Sequence, residues 1–216
     1  MSVIGVWVIG TVSDERVAEV LRAAVESSPP PRPQAANRDV SGPLAWWRDR
    51  ADASMFSKSA TDHGGWVAEG DAYRLNDFLD GCRADSEQVE ALRDAVLELF
   101  PPEGDEGLFA ATARKASPFA ALAYALGPDA TLQLPGWFGD FLLDSGEVGP
   151  RLLAAEEALA LTGSRRREVV ERIHAWMTGL GDAPGHDAEE LLDGPLRVLR
   201  RAARTGQGVA GHVRWY

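Results

Sequence analysis

The chain predicts an α+β fold, with one mixed or antiparallel sheet that contains both terminal strands and is packed with several helices. Three observations predict it. Val3-Ile4-Gly5-Val6-Trp7-Val8-Ile9 is β-branched and apolar on both faces, as in a strand central to a sheet. Residues 209–216 alternate, with Val209, Gly211, Val213 and Trp215 on one face, which predicts a half-buried closing strand. Between the two, helical periodicity dominates. The 216 residues are 45% hydrophobic and 25% charged, enough to bury a core without metals or crosslinks. No repeat or composition shift divides them, so residues 1–216 read as a single domain.

The elements follow in order. Ser13 is an N-cap, and Val17, Val20, Leu21 and Ala24 form the apolar stripe of a helix ending near Ser27. Pro29-Pro30-Pro31-Arg32-Pro33 cannot continue it and makes residues 28–38 a proline-rich surface connector. Leu44-Ala45-Trp46-Trp47 opens a short helix or turn, and residues 54–59 are a strand or loop. Asp62-His63-Gly64-Gly65 is a turn, and Trp66-Val67-Ala68 starts a further strand. Asp85-Ser86-Glu87-Gln88 is a capping box before a helix with Val89, Leu92, Val96 and Leu99 on one face, stopped by Pro101-Pro102. Residues 108–112 are short and ambiguous.

Ser117-Pro118 places a cap before proline at the first helical position, and the helix runs to Gly127-Pro128. Residues 132–138 form a loop or edge segment that carries exposed aromatics, and residues 144–150 a turn. Helices follow over 152–161 and from Ser164, the latter with Val169, Ile173, Trp176 and Leu180 at helical spacing. Asp187-Ala188-Glu189-Glu190 caps a last helix in which Gly194-Pro195 marks a break or kink.

One stretch carries a resemblance. The apolar helix Ala121-Leu122-Ala123-Tyr124-Ala125-Leu126-Gly127 precedes a Pro/Gly/aromatic loop. Phe141-Leu142-Leu143, Gly146-Glu147, Gly149-Pro150-Arg151 and the acid pair Glu156-Glu157 come next. Ala188-Glu189-Glu190-Leu191-Leu192 and a closing strand complete the order. Roughly the last 100 residues thus resemble the YfbM-like family of small bacterial α+β proteins of unknown function. The resemblance implies a fold and no catalytic residue.

Charge and chemistry narrow the function. Thirty-three Asp and Glu against 22 Lys and Arg leave a net charge of −11, a field that repels nucleic acid and anionic membranes and favours a basic protein partner. No run approaches the roughly 20 apolar residues of a membrane span, and residues 3–9 lack the basic flank of a secretory leader, so the expected location is cytoplasmic. Cys82 is the only cysteine, which excludes an internal disulfide and a thiolate zinc site. His63, His174, His186 and His212 show no two-histidine spacing, and Glu171 with His174 reads as a surface link, so no metal is expected. No nucleotide-binding loop or nucleophile elbow occurs, so no cofactor is expected. Arg165-Arg166-Arg167 and Arg197, Arg200, Arg201 and Arg204 read as solvated faces that offset nearby acid.

Two functional readings remain. The first is a non-enzymatic binding protein, immunity-type or regulatory, that uses an acidic surface and loop aromatics. Its anchor candidates are Trp137 and Phe138, presented by Pro135-Gly136, and then Trp46 and Trp47. The second is a small metal-independent hydrolase or transferase with a polar site near Asp62, His63 and Trp66.

Overall fold

The computed structural model describes residues 3–26, 41–59, 65–81, 95–102, 104–136, 139–183 and 185–216. Strand β1 (Ile4–Val12) pairs on both sides, with β4 (Leu108–Arg114) and with β6 (Gly208–Trp215). The short β5 (Phe141–Leu143) adds to the far side of β6, giving a four-stranded antiparallel sheet of order β4-β1-β6-β5. Both terminal strands therefore lie side by side at its centre, as the apolar first strand and the patterned last one predict. A separate two-stranded hairpin pairs β2 (Phe56–Lys58) with β3 (Trp66–Ala68).

Alternation along the strands selects the core face. Trp7 and Ile9 of β1, Phe109 and Ala111 of β4, Val209 and Val213 of β6 and Phe141 of β5 are all buried on one side. Against that side pack α4 (Pro118–Leu126), α6 (Ser145–Leu159) and α8 (Glu190–Thr205), with a one-turn α5 (Pro128–Thr131) following α4. Trp7 sits edge-on to Phe109, with ring centres 5.0 Å apart, and to Phe119, at 5.2 Å. Each such contact is worth about 0.5–1.5 kcal/mol beyond its buried area. The second face is covered at one end by α1 (Asp14–Glu26), where Val12 and Ala210 meet Val17, Val20 and Val96. For that reason β6 is buried on both faces from Gly208 to Val213, rather than half-buried as its alternation predicts.

The helix ends show why these residues form helices. Ser117 accepts from the Ala120 N–H at 3.3 Å and Pro118 follows at the first helical position, a cap worth about 1 kcal/mol. Asp187 accepts from the N–H groups of Glu189 and Glu190 ahead of α8. Residues 144–150, expected to be a turn, instead begin α6. Asp144 accepts from the Glu147 N–H at 3.0 Å and Glu147 reaches back to the Asp144 N–H at 3.2 Å, a complete capping box. That box holds the first turn in place despite Gly146, Gly149 and Pro150.

Of the break or kink expected at Gly194-Pro195, the break is absent, since α8 is continuous from Glu190 to Thr205. The glycine has a packing reason: a Cβ at 194 would overlap the Phe109 ring. It lets the helix approach the sheet closely. Residues 108–112 belong to a strand, and α3 (Gly70–Gly81), which the sequence reading did not pick out, fills the stretch after the hairpin.

Among the described residues no helix is long and apolar enough to cross a membrane. The connector 28–38, Cys82 and the capping box at Asp85 lie outside the described residues, although Ala95 to Leu97 are helical and Val96 is buried, in keeping with the helix expected there.

Gly194→Ala is expected to lower stability. The gain of about 1 kcal/mol in helix propensity is outweighed by the cost, about 1–3 kcal/mol, of forcing Phe109 off its seat against Trp7. Urea unfolding of the variant beside the parent measures the sign, and equal or higher stability would contradict this packing.

Candidate functional site

The cross-strand pairs of the hairpin, Phe56 with Ala68 and Lys58 with Trp66, share one face by the pleat, and Ser57 and Val67 point the other way. Val67 is accordingly exposed and Phe56 buried. Phe56 packs edge-on to Tyr124 at 5.3 Å and to Trp176 at 5.9 Å. Trp176 belongs to α7 (Gly163–Gly179), and the helix ends where the hairpin presses closest: a Cβ on Gly179 would stand 2.5 Å from the Phe56 ring.

From Gly179 back to Val170 the helix rises about 13 Å, whereas the strand from Phe56 to Lys58 advances only about 7 Å. The paired strands therefore run along only part of α7. There a cleft of about 400 Å³ opens, lined by Lys58, Trp66, Gly163, Arg166, Arg167, Val170, Glu171, His174 and Glu189. The α7 residues among them recur every three or four positions and form one stripe, opposite the buried Val169, Ile173 and Trp176.

The charges in this cleft are not equivalent. Arg166 donates to Asp193 at 2.7 and 3.0 Å and to Glu189 at 2.8 Å. The Asp193 hydrogen bonds, then those to Glu189, hold the guanidinium above even its ordinary range, so its charge is neutralised in place. Arg165 is paired with Glu168. Arg167 and Lys58 have no carboxylate partner among the described residues, and the Lys58 ammonium lies 5.3 Å from the centre of the Trp66 ring. Of the C-terminal arginines, Arg197 pairs with Glu190, Arg200 with Glu156 and Arg201 with Glu106, whereas Arg204 has no carboxylate partner among the described residues.

His174 faces the cleft and adjoins His186, which is half-buried between α7 and α8. Burial pushes the His186 imidazole below its ordinary value; Asp187 opposes that shift and His174 adds to it.

A second polar pair is buried at the sheet edge. Asp140 immediately precedes the three-residue β5, so the far side of β6 loses its strand partner beyond Gly211. The Asp140 carboxylate takes over there, accepting from the Val213 N–H at 2.9 Å and lying 3.2 Å from Nδ1 of His212. An ionised carboxylate only accepts, so Nδ1 carries the hydrogen.

The residues singled out from sequence are dispersed. Trp66 lines the cleft. Asp62, His63, Trp137 and Phe138 lie outside the described residues. Trp47 is 1% exposed and packs edge-on to Phe78, which corrects its candidacy as a partner anchor. In α2 (Ser41–Asp49) neighbouring residues point about 100° apart, so burying Trp47 turns Trp46 toward the surface. Trp46 is half-buried, with the Arg74 guanidinium 4.1 Å from its ring centre.

Lys58, Arg167 and His174 were not tied to Trp66 by any local signal, because the hairpin and α7 are about a hundred residues apart in the chain. Among the described residues, no group of three or more His, Cys, Asp or Glu is placed to hold a metal ion. No protein-family model, no curated protein and no solved structure matches the chain.

Two outcomes follow from these polar groups. Asp140→Ala removes the acceptor of two buried N–H groups, each worth about 1–3 kcal/mol when left unsatisfied, and should destabilise the fold by several kcal/mol in urea unfolding. A loss below about 1 kcal/mol would show that the pair contributes little. For His186 the folded state binds a proton less readily than the unfolded one. Its contribution is therefore complete above the unfolded value near 6.5 and falls as pH drops through the lowered folded value. His186→Leu should lose less stability than the parent between pH 7.5 and 5.5, by at most about 1.4 kcal/mol per pH unit, and parallel losses would refute the assignment.

Proposed function

We propose that the protein is a non-enzymatic binding module of the cytoplasm, immunity-type or regulatory, that docks a basic protein partner on the face shared by α2 and α3. The observation that carries this reading is the exposed Tyr73 near the half-buried Trp46 on that face. Tyr73 is 56% exposed, and next to it in α3 Arg74 lays its guanidinium over Trp46. That ring already receives a cation on its face, which is the contact an incoming arginine or lysine makes.

Acid surrounds the aromatics in sequence and along the helices. Asp49 lies one turn after Trp46, and Asp77 one turn after Tyr73; neither has a cation partner among the described residues. The net charge of −11 attracts a basic partner at long range and opposes nucleic acid. Aromatic anchors then supply the short-range affinity. The resemblance to the YfbM-like family enters as an expectation of fold and lends no residue a role.

The tagged chain captures its partner from the native cell, mass spectrometry identifies it, and calorimetry titrates it at two salt concentrations. Tyr73→Ala, whose side chain is surface-exposed, is expected to weaken binding by about tenfold or more, and the parent affinity is expected to fall with salt. A partner bound equally well by the variant, with no salt dependence, would sink this reading.

A further inference from the structure

The cleft beside the hairpin strands shares no lining residue with the α2–α3 face, and its two cations without a carboxylate partner, Lys58 and Arg167, set it apart in charge. We propose that it binds a small organic anion, a phosphate or carboxylate carried on a planar apolar group. Its volume, about 400 Å³, falls in the range of small-molecule sites.

The electrostatics select the ligand. On a chain with eleven more acids than bases, cations are normally matched, and Arg165 and Arg166 on the same helix turn are. Lys58 and Arg167 have no carboxylate partner among the described residues, and both line this concavity. The stacking of Lys58 on Trp66 uses no N–H, so its three donors remain available. Arg167 presents a planar fork that suits a carboxylate or phosphate. Both come from elements held rigidly elsewhere: the hairpin is anchored through Phe56, and α7 through Val169, Ile173 and Trp176. Such a site is formed before the ligand arrives, which limits the ordering cost of binding.

The walls select the rest of the molecule. Trp66 and Val170 give the anion's carrier an apolar surface, and Trp66 favours a flat one. Glu171 lies in the same stripe without a cation partner among the described residues, so the anion seats toward Lys58 and Arg167 and a donor group of the ligand faces Glu171.

The test is a titration of the full ¹⁵N-labelled chain, followed by its amide and indole N–H resonances, with phenyl phosphate, benzoate and inorganic phosphate as probes. Saturable shifts at the Trp66 indole and along residues 166–174 are expected with phenyl phosphate, benzoate or both. Whichever binds assigns the anion, and either supports the site. Binding about tenfold tighter than inorganic phosphate supports the planar carrier, and equal affinity overturns it. Lys58→Ala and Arg167→Ala, both at exposed positions, should each weaken binding about five- to thirtyfold, whereas Lys115→Ala, a cation outside the cleft, should not. Absence of saturable shifts with both organic probes at about 10 mM, or equal weakening by Lys115→Ala, overturns the proposal. No protein partner enters this titration, so its failure leaves the α2–α3 reading standing, and the reverse holds too.

Discussion

Everything in the helix layer is referred to the indole of Trp7. It projects from the central strand and is held edge-on by Phe109 from the neighbouring strand and by Phe119 from α4. Phe109 in turn presses on α8 at the one position, Gly194, where the helix offers no side chain. The stack therefore fixes the distance of two helices from the sheet at once. Because interiors are packed at crystal-like density, a shift of that stack propagates to α6 and α7, which lean on α8 and α4.

The cleft is a product of the same rigidity. Phe56, Tyr124 and Trp176 form a second aromatic group that clamps the hairpin base to α4 and α7. Arg172 works alongside it, stacking on Tyr124 and donating to the carbonyls of Ala51 and Tyr124 at 3.0 Å each. The hairpin is thus tied to the helices through its Phe56 end. Its strands are too short to follow α7 to its N-terminus. The cleft lies where two elements of unequal length, each regular in itself, run side by side.

Much of the fold was legible from local patterns. The two strands of β-branched and alternating residues, the Ser117-Pro118 start and the Asp187 cap are short-range signals, and each is realised. The turn expected at 144–150 has a plain cause: glycine and proline were taken as punctuation. At Gly146, Gly149 and Pro150 a capping box overrides them, and at Gly194 the requirement is close approach to Phe109. The functional surfaces were less legible. Trp46 and Trp47 are indistinguishable as residues, and only the phase of α2 decides which one is buried. Nothing local joins Lys58 to Arg167; their meeting is set by how the hairpin packs on α7.

Asp140 has a consequence beyond the hydrogen bonds it makes. A strand that runs past its partner leaves a row of unpaired backbone groups, which is a template for another chain. β5 covers β6 only from Val209 to Gly211, and β6 continues to Trp215. With the Val213 N–H already held by a carboxylate, an approaching strand finds that donor occupied and meets a fixed negative charge. A single acidic side chain thus closes the hydrogen bonding of the sheet at this point, in place of a further strand residue.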